Sequence, residues 1–422
     1  MKTIPFWTDL TPPPDNLSSP RTPQAVDVVV IGAGYSGLNT AIVLARSGAS
    51  VAVLERHTVG WGASSRNGGL ATTGMKRSIS AIIKRYGEEL GRFFWQSSLD
   101  AVDLIEDLVN QEGVDCDYAR SGSLALAWKP SHYEQMVAKA KWMDDKLGHK
   151  VSLVPKEEMR SEIGTDAFYG ATLDEASAGL NPAKYVFELA RVAVRHGAVI
   201  CEHSPVTKIV KQAGGFLVHT NQGAVSAKEV VVATNGYTDR LVPQLKPKIF
   251  PVGSYIIVTE PLSPALQQEL SPRLRMFYDT KWFLNYFRLT ADGRMLFGGR
   301  NDLSTDLDLI ESSHRLREQM LYVFPQLRNI PITHSWTGQL GITFDLMPHI
   351  GTVEGIHYVF GYGGHGVPIA TYMGTEMGML LTGQKTSSPF ADIAHQTMFF
   401  YRDKPWFLPV AAAYYRTLDR LT

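Results

Sequence analysis

The stretch Val26-Asp-Val-Val-Val-Ile-Gly-Ala-Gly-Tyr-Ser-Gly37 decides the fold of this chain. Its apolar run up to Ile31 is typical of a strand buried in a parallel sheet. After the glycine cluster, the apolar spacing predicts a helix over residues 35 to about 47. A second strand is predicted over residues 50 to 55. Together these elements form a βαβ unit, which predicts a Rossmann-like α/β fold.

Three glycines of this stretch match the dinucleotide fingerprint G-x-G-x-x-G. Gly32 permits a tight turn, Gly34 lets the backbone approach a pyrophosphate, and Gly37 lets the helix pack on the sheet. The helix N-terminus then faces the phosphates with free N–H groups. Glu55 ends the second strand, where a carboxylate can accept hydrogen bonds from the adenosine ribose. An acid there disfavours a 2′-phosphate, so NAD and FAD both stay open.

The next segment is Gly60-Trp-Gly-Ala-Ser-Ser-Arg-Asn-Gly-Gly69, with four glycines, two serines, an Arg and an Asn. It is too polar and too flexible for a buried connection. Its backbone N–H groups, with Ser64 and Ser65, could reach a pyrophosphate or a ribityl chain. Arg66 and Asn67 would then lie near the redox ring. The alternative interpretation is a flexible surface loop.

Several segments together resemble FAD oxidoreductases of the D-amino-acid oxidase type (glycine/sarcosine oxidase-like), and within them the gamma-glutamylputrescine oxidase-like branch. The resemblance starts with residues 28–37, Leu54-Glu-Arg56 and the 60–69 loop. Further matching segments follow along the chain, namely residues 204–206, 231–236, 336–338, 343–351 and 361–366. It therefore covers most of residues 26 to 382.

This resemblance implies a Rossmann-like FAD-binding domain of the glutathione-reductase type, with a second, mainly antiparallel-sheet substrate domain. The backbone at Val206 would meet the adenine, and the turn over residues 234–236 would close over the nucleotide. The loop over residues 361–366 would bring N–H groups and a helix N-terminus against the pyrimidine end of the flavin. The resemblance also implies oxidation of an amine by hydride transfer to flavin N5.

The residues expected to bind FAD belong to the segments just described. They are Gly32, Gly34, Tyr35, Ser36, Gly37, Glu55, Arg56, Gly62, Ala63, Ser64, Ser65, Arg66, Asn67, Gly68, Gly69, Leu70, Val206, Thr234, Asn235, Gly236, Gly363, Gly364, His365 and Gly366.

Candidate catalytic residues lie in three places along the chain. Tyr286 and Arg288 share one face of a predicted strand and could hold a hydroxyl, an amide or a carboxylate of the substrate. A half-exposed strand with a surface Arg explains them equally well. His365 lies in the flavin loop, where it either titrates near neutral pH or only holds the loop by hydrogen bonds. Arg66 and Asn67 complete the set.

Departures from relatives narrow the expected chemistry. Sarcosine-oxidase-like members attach flavin through a Cys in the segment that corresponds to about residues 336 to 346, which has none here. The His that dimethylglycine-dehydrogenase-like members use after a Trp is also absent, since Gly62 follows Trp61. Non-covalent FAD is therefore expected. The oxygen-activating Lys of sarcosine oxidases falls on Leu296, so the electron acceptor can be O2 or another molecule. Their carboxylate-binding Lys falls on Pro368, which argues against small N-methyl amino acids bound as in sarcosine oxidases.

Helices and strands are predicted beyond the βαβ unit. Residues 80 to 112 and about 131 to 147 are predicted to be helical. Asn181-Pro182, an N-cap residue followed by Pro at the first helical position, predicts the start of a helix that runs to about residue 196. Strands are predicted near residues 123–128, 198–202, 206–210, 216–220, 229–233, 254–259, 285–289, 294–298 and 356–360, and a last helix ends at about residue 382.

The order of the segments predicts a chain divided between two domains and two extensions. The FAD-binding domain takes residues 25–90, 150–236 and 335–390, and the substrate domain takes residues 91–149 and 237–334. An extended N-terminal arm (residues 1–24) and a C-terminal tail (residues 391–422) complete the division.

Composition excludes several classes of function. Lys plus Arg equals Asp plus Glu at 41 each, so no global positive field collects nucleic acid or anionic lipid. Two cysteines cannot build a disulfide framework, and no zinc motif is present, so no metal is expected. Without a run of about 18 apolar residues or a signal-peptide core, we expect a cytoplasmic protein without integral membrane contact. The oligomeric state stays open.

Three functions remain. The first is FAD-dependent oxidation of a primary or secondary amine, a polyamine conjugate or an amino acid, with the imine hydrolysing to an aldehyde or keto acid. The second is an NAD(P)H-dependent flavin monooxygenase or reductase. The lack of a second nucleotide-binding domain in the predicted elements argues against this function. The third is a flavin-binding protein without catalysis.

Overall fold

The computed structural model describes residues 1–300 and 302–421. Asn301 of the predicted substrate domain and Thr422 of the predicted tail lie outside the described residues. The strands, in chain order, are β1 (Ala25–Ile31), β2 (Val51–Leu54), β3 (Leu70–Ala71), β4 (Ser123–Leu126), β5 (Ser152–Pro155), β6 (Gly170–Asp174), β7 (Ala178–Gly179), β8 (Val199–Cys201), β9 (Val206–Gln212), β10 (Gly215–Thr220), β11 (Gly223–Val232), β12 (Phe250–Pro261), β13 (Met276–Asp279), β14 (Asn285–Leu289), β15 (Arg294–Gly299), β16 (Ile332–Ile342), β17 (His349–Val353) and β18 (Ile356–Phe360).

The helices alternate with the strands along most of the chain. They are α1 (Phe6–Leu10), α2 (Tyr35–Arg46), α3 (Ile79–Tyr86), α4 (Glu88–Glu112), α5 (Pro130–Leu147), α6 (Pro182–Arg195), α7 (Pro264–Leu270), α8 (Leu309–Val323), α9 (Gly366–Leu381), α10 (Pro389–Asp392) and α11 (Leu408–Leu421). Short 3₁₀ turns cover Ala63–Ser65, Lys156–Ser161, Asn235–Tyr237, Lys246–Lys248 and Pro325–Leu327.

The first sheet is the predicted Rossmann-like sheet. Its strand order is β17-β18-β11-β1-β2-β8, and β1 pairs in parallel with both β2 and β11. The β9–β10 hairpin joins it through antiparallel pairing of β10 with β11. Helices α2, α6 and α9 pack together beside β1, where the apolar side chains of all four form one buried cluster. The ends of the parallel strands therefore meet at one edge, as in other open α/β sheets that bind ligands.

The second sheet is mainly antiparallel, as the resemblance implies. Its strand order is β16-β12-β15-β14-β13-β4-β6-β5, and only the β4–β13 pair within it is parallel among the described residues. Strands β5, β6 and most of β16 come from ranges that the sequence analysis assigns to the FAD-binding domain, although they pair in this sheet. The domain division itself remains a prediction.

Most predicted elements are confirmed to within a few residues, including the start of α6. The Asn181 side chain accepts hydrogen bonds from the N–H groups of Ala183 and Lys184, as the Asn-Pro signal predicts. The predicted helix over residues 80 to 112 is two helices, because Gly87 takes a φ of +89° between them. Helix α8 and strand β16 were not predicted.

The sequence predicts an extended N-terminal arm, but the structure shows that this arm is not extended throughout. Residues Phe6–Leu10 form the short helix α1, in which Phe6 and Trp7 are both 2% exposed. Both rings pack into the main apolar cluster around β1 and α2. The physical reason is their apolar area, which is large enough to fix the arm against the protein. The arm therefore belongs to the core.

Candidate functional site

A cavity of about 380 Å³ lies between the two sheets. One wall holds the loops after β1 and β2, the start of β9 and the turn after β11. The other wall holds residues of β12, β13, β14 and β16 from the second sheet. The loop before α9 closes one end of the cavity. This arrangement joins a dinucleotide-binding edge to a wall of polar side chains.

The fingerprint glycines take the positions that their spacing predicts. Gly32 has a φ of +106°, in the region that only glycine adopts without strain. A Cβ atom at Gly37 would fall 2.0 Å from the Gly32 carbonyl oxygen, and one at Gly34 would fall 2.9 Å from Ser64 Oγ. The close packing of α2 on β1 and of the 60–69 loop on α2 therefore requires glycine at both positions.

Glu55 follows β2 and faces the cavity. Its two carboxylate oxygens accept hydrogen bonds from the backbone N–H groups of Ala33 and His57, each at 2.9 Å. A carboxylate has about four lone-pair sites, so both oxygens keep capacity for ribose hydroxyls. The backbone bonds fix the side chain where the sequence analysis expects the ribose.

The 60–69 loop is ordered by its own polar side chains. Ser64 Oγ accepts from the Tyr35 N–H at 3.1 Å. The Asn67 amide donates to the carbonyl oxygens of Ala63 and Ser64 and accepts from the Gly69 N–H at 2.8 Å. The Asn67 amide also donates to the Tyr35 hydroxyl at 3.3 Å. Asn67 therefore makes its hydrogen bonds to its own loop and to Tyr35 of α2, which fixes the loop on this helix.

Two buried tryptophans hold the loop from outside. The Trp7 indole N–H donates to the Asn67 carbonyl oxygen at 2.8 Å, and the Trp336 indole N–H donates to the Arg66 carbonyl oxygen at 2.9 Å. The Arg66 guanidinium donates to the Trp61 carbonyl oxygen at 2.7 Å and lies 4.7 Å from the centre of the Trp61 ring. Helix α1 and strand β16 thus fix consecutive carbonyl groups of one loop.

Most of the predicted site residues line the cavity. These are Gly32, Gly34, Tyr35, Ser36, Glu55, Arg56, Gly62, Ala63, Ser64, Arg66, Asn67, Gly68, Leu70, Val206, Thr234, Asn235, Tyr286, Gly363, Gly364, His365 and Gly366. Five predicted residues do not line it, namely Gly37, Ser65, Gly69, Gly236 and Arg288. Gly37 and Gly236 pack against backbone atoms instead, those of Gly32 and of β16.

Arg288 requires a correction, because it does not face the cavity. The side chain is buried, and Nη1 donates to the Gly69 carbonyl oxygen at 2.8 Å. Its guanidinium lies 5.9 Å from the centre of the Trp7 ring, and burial lowers its pKa to about 10. Although it shares a strand face with Tyr286, the 60–69 loop covers it. Arg288 therefore supports the loop.

Tyr286 does line the cavity, and its hydroxyl lies 3.0 Å from Ser254 Oγ of β12. A Cβ atom at Gly298 would fall 2.2 Å from Tyr286 Cζ, so the glycine at the end of β15 makes room for the ring. Burial raises the pKa of Tyr286 to about 12, which keeps the hydroxyl protonated near neutral pH. It is therefore a neutral hydrogen-bond donor or acceptor toward a ligand.

The sequence analysis missed two cations that line the cavity, Lys76 and Arg300. Lys76 precedes α3, and Arg300 directly follows β15. Arg300 and burial lower the pKa of Lys76 to about 7, and burial lowers that of Arg300. The one sequence signal near Arg300 is the Gly298-Gly299 pair before it. Two glycines at the end of a strand indicate that other groups approach the backbone closely there.

His365 lines the cavity before α9, but it does not titrate near neutral pH. Burial lowers its pKa to about 4, with Lys76, Arg300 and Lys139 adding to the effect. Its Nδ1 atom is buried and has no hydrogen-bond partner among the described residues. His365 is therefore a neutral imidazole with one polar atom left for a ligand.

The turn after β11 and the loop before α9 are tied together. Asn235 has a φ of +43°, and its side-chain oxygen accepts from the Gly361 N–H at 3.0 Å. The Gly363 N–H donates to the Gly341 carbonyl oxygen of β16 at 3.2 Å. With the glycine cradle and Glu55, these loops supply a donor and acceptor set that fits FAD along one continuous cavity.

Comparison with known proteins identifies the family. The family described as FAD dependent oxidoreductase, DAO, matches residues 27–380. The chain belongs to this family. It is 34% identical over 405 residues to the probable oxidoreductase OrdL of Haemophilus influenzae, covering 94% of this chain and 93% of that protein. It is 34% identical over 402 residues to gamma-glutamylputrescine oxidoreductase of Escherichia coli, again covering 94% and 93%.

Solved structures confirm the fold of this flavoenzyme. Glycine oxidase from Geobacillus kaustophilus superimposes with a TM-score of 0.76 at 20% identity, over 90% of this chain and 100% of that one. L-proline dehydrogenase from P. horikoshii gives a TM-score of 0.72 at 22% identity, over 87% and 96% of the two chains. The predicted two-sheet architecture is thereby confirmed, and the family match confirms the predicted FAD-dependent oxidoreductase.

Two further findings concern metal ions and the membrane. Among the described residues, no three His, Cys, Asp or Glu side chains lie together as candidate metal ligands. None of the described helices combines the length and apolar character that crossing a bilayer requires.

Proposed function

We propose that this protein oxidises an amine, which is a primary or secondary amine, a polyamine conjugate or an amino acid. The observation that carries the proposal is the cavity itself, in which the dinucleotide edge faces Tyr286, Ser254 and Arg300 of the second sheet. The gamma-glutamylputrescine oxidoreductase relative supports an amine substrate. The product imine would hydrolyse to an aldehyde or a keto acid.

The glycine cradle, Glu55, Val206, the turn at Asn235 and the loop before α9 would hold FAD without a covalent bond. The chemistry that bound FAD supplies is acceptance of a hydride from the substrate C–H bond. The residues of the chain have the remaining roles, which are to orient the amine and to exclude water. Arg300 replaces Arg288 as the proposed contact to a polar part of the substrate, because Arg300 faces the cavity.

Anaerobic reduction of the flavin tests this function directly. The purified yellow protein is mixed without oxygen with putrescine, gamma-glutamylputrescine, sarcosine, and D- and L-amino acids, and the flavin absorbance is followed. We expect one class to bleach the flavin, and admission of air then separates O2 from another acceptor. Bleaching by NAD(P)H with no response to any amine would refute the proposal.

A matched pair of variants locates the reaction in this cavity. Arg300→Gln is expected to slow bleaching by the active amine, because it changes the cavity wall. Arg92→Gln serves as the control, since Arg92 pairs with Glu88 on the exposed surface of α4. Equal rates for the two variants would place the reacting amine elsewhere.

A further inference from the structure

Lys76 and Arg300 form a pair of cations inside the cavity without a counter-ion. Both line it, and across residues 1–300 and 302–421 no carboxylate lies within ion-pair distance of either side chain. Both residues are half-buried in the cavity wall. Cations held next to each other away from bulk water are normally paired with carboxylates, because like charges repel and desolvation of a lone charge costs free energy. An unpaired couple in a cavity therefore points to a function rather than to stability.

Both side chains meet the loop before α9. A Cβ atom at Gly363 would fall 2.7 Å from Lys76 Cβ and 3.0 Å from its Cγ. A Cβ atom at Gly364 would fall 4.0 Å from Arg300 Nη2. The aliphatic part of Lys76 therefore packs on Gly363 while Arg300 approaches the next residue of the same turn. Two cations from different elements thus lie against consecutive residues of one turn.

This convergence sets the protonation state of Lys76. Arg300 stays charged at any physiological pH, and its charge, with burial, lowers the pKa of Lys76 to about 7. The other titratable groups around the pair are His365, Lys139, Tyr286 and Tyr415, and Tyr278 lines the same cavity. None of them is a carboxylate that would restore the charge of Lys76. Near neutral pH the lowered pKa leaves part of Lys76 as a neutral primary amine with a free lone pair.

The proposed reaction needs such a group. An aliphatic amine is an ammonium ion in water near neutral pH, since its pKa resembles the 10.4 or so of lysine. It cannot release a hydride until it loses a proton. The same Arg300 charge that disfavours protonated Lys76 disfavours an ammonium ion beside it.

We propose that Lys76 is the base that takes the proton from the ammonium group of the substrate, with Arg300 as the fixed charge that keeps Lys76 neutral beforehand. The inference rests on the proposed amine oxidation. One N–H bond of R–CH2–NH3⁺ breaks, its electron pair stays on the substrate nitrogen, and a new N–H bond forms at Nζ. Loss of hydride from the carbon to the flavin then gives R–CH=NH2⁺, and Lys76 returns its proton to solvent.

The competing role is that the pair binds a carboxylate of the substrate. An anion between the two cations would raise the pKa of Lys76 and keep it protonated. The two roles predict opposite charge states of Lys76, and so they can be told apart.

Brief acetic anhydride labelling across a pH series, read by mass spectrometry of the holoprotein, measures the state of Lys76 without turnover. We expect Lys76 to label with a midpoint near 7, as its pKa indicates, and Arg300→Gln to move that midpoint upward. Lys248, whose pKa burial alone lowers, is the internal control and should not respond to Arg300→Gln. A Lys76 midpoint like that of exposed lysines, or a Lys76 that never labels, overturns the proposal, because a substrate must reach the base.

The pH dependence of anaerobic flavin reduction gives the second readout. In Lys76→Met the rate of flavin reduction at pH 8 should fall about 10²-fold, a usual loss for a general base. In a plot of rate against pH, the midpoint of the rise should move upward, toward the pKa of the free amine. In Lys76→Arg the guanidinium stays protonated and cannot accept the proton of the substrate, so this variant should be equally slow. Lys248→Met is the control.

An unchanged rate and pH profile in Lys76→Met would overturn the proposal while leaving amine oxidation intact. If no amine reduces the wild-type flavin, the proposed function fails instead, and the labelling midpoint still reports the state of Lys76. The two failures are therefore distinguishable.

Discussion

The indole N–H of Trp7 donates to the carbonyl oxygen of Asn67 at 2.8 Å, so the N-terminal helix α1 holds the loop that follows the ribose-binding strand. Trp336 of β16 does the same for the preceding carbonyl group, that of Arg66. Trp7 is 60 residues from Asn67 and Trp336 is 270 residues from Arg66, yet the two indoles bind adjacent peptide groups. The geometry of the proposed FAD loop therefore depends on helix α1 and on strand β16, which are distant from it in sequence.

Trp7→Phe should weaken FAD binding while keeping most of the packing of the ring. Loss of one hydrogen bond costs about 0.5 to 1.5 kcal/mol, or roughly 2- to 12-fold in Kd. The flavin released at equilibrium can be measured by its fluorescence. Trp406→Phe is the matched control, because the indole of Trp406 is mostly exposed and donates to the Phe400 carbonyl oxygen away from the cavity. An equal loss in both variants would contradict the role of Trp7.

Gly34→Ala should lower the melting temperature and abolish flavin retention, because the added Cβ falls 2.9 Å from Ser64 Oγ. Such overpacking costs about 1 to 3 kcal/mol. In the double variant Gly34→Ala with Ser64→Ala, the clash is gone and the melting temperature should recover. Flavin retention should not recover, since the methyl group still blocks the backbone from the pyrophosphate. Recovery of both would place the pyrophosphate elsewhere.

Arg288 and Arg300 should respond to substitution in opposite ways. Arg288→Gln removes the charged donor to the Gly69 carbonyl oxygen, which keeps only its hydrogen bond from the Leu180 N–H, and should destabilise the protein by about 1.5 to 3 kcal/mol, visible in thermal melts. Arg300→Gln removes an unpaired cation and should leave the melting temperature equal or higher while impairing reduction by the amine. A stable Arg288→Gln protein with impaired reduction would reverse the assignment.

His395 should make the protein sensitive to acid. Its ring stacks on that of His349 at 3.9 Å, its Nε2 donates to the Lys248 carbonyl oxygen, and its Nδ1 accepts from the Tyr358 hydroxyl. Burial and the charge of His349 lower its pKa to about 3, and the ordinary value is 6.5. The unfolded chain therefore binds the proton first, so stability is full above pH 6.5 and is lost as the pH falls toward 3.

The measurement is the melting temperature between pH 7 and pH 4. In His395→Gln the decline should be flatter than in the wild type. His314→Gln on the exposed side of α8 provides the control. Parallel declines in all three proteins would exclude His395 as the cause.

The βαβ unit and its glycines could be predicted from the sequence because the information is local. The apolar run of β1, the spacing of α2 and the fingerprint between them lie within about twenty-two residues of one another, and each imposes its structure by short-range sterics and burial. Strand β16 is different, since its eleven residues mix Gly, Ser, Gln and Trp and owe their conformation to pairing with β12. Its partner in the sheet is not visible in its own composition.

The cation pair escaped prediction for the same reason. Lys76 lies in a loop without a motif, and the Gly298-Gly299 pair before Arg300 marks only the end of a strand. Only the packing of both on the turn at Gly363 and Gly364 brings them together. The prediction for Arg288 was wrong for a related reason. The alternation of side chains along a strand correctly placed Arg288 on the same face as Tyr286, but it could not show that the 60–69 loop covers Arg288.

The cavity draws its lining from residues as far apart as Ile31 and Ala370 and from both sheets. A truncated chain or a half-folded intermediate thus lacks one wall or the other. The yellow colour of the purified protein should consequently serve as an assay of complete assembly, so that expression of damaged variants can be graded by eye from the flavin they retain before any substrate is known.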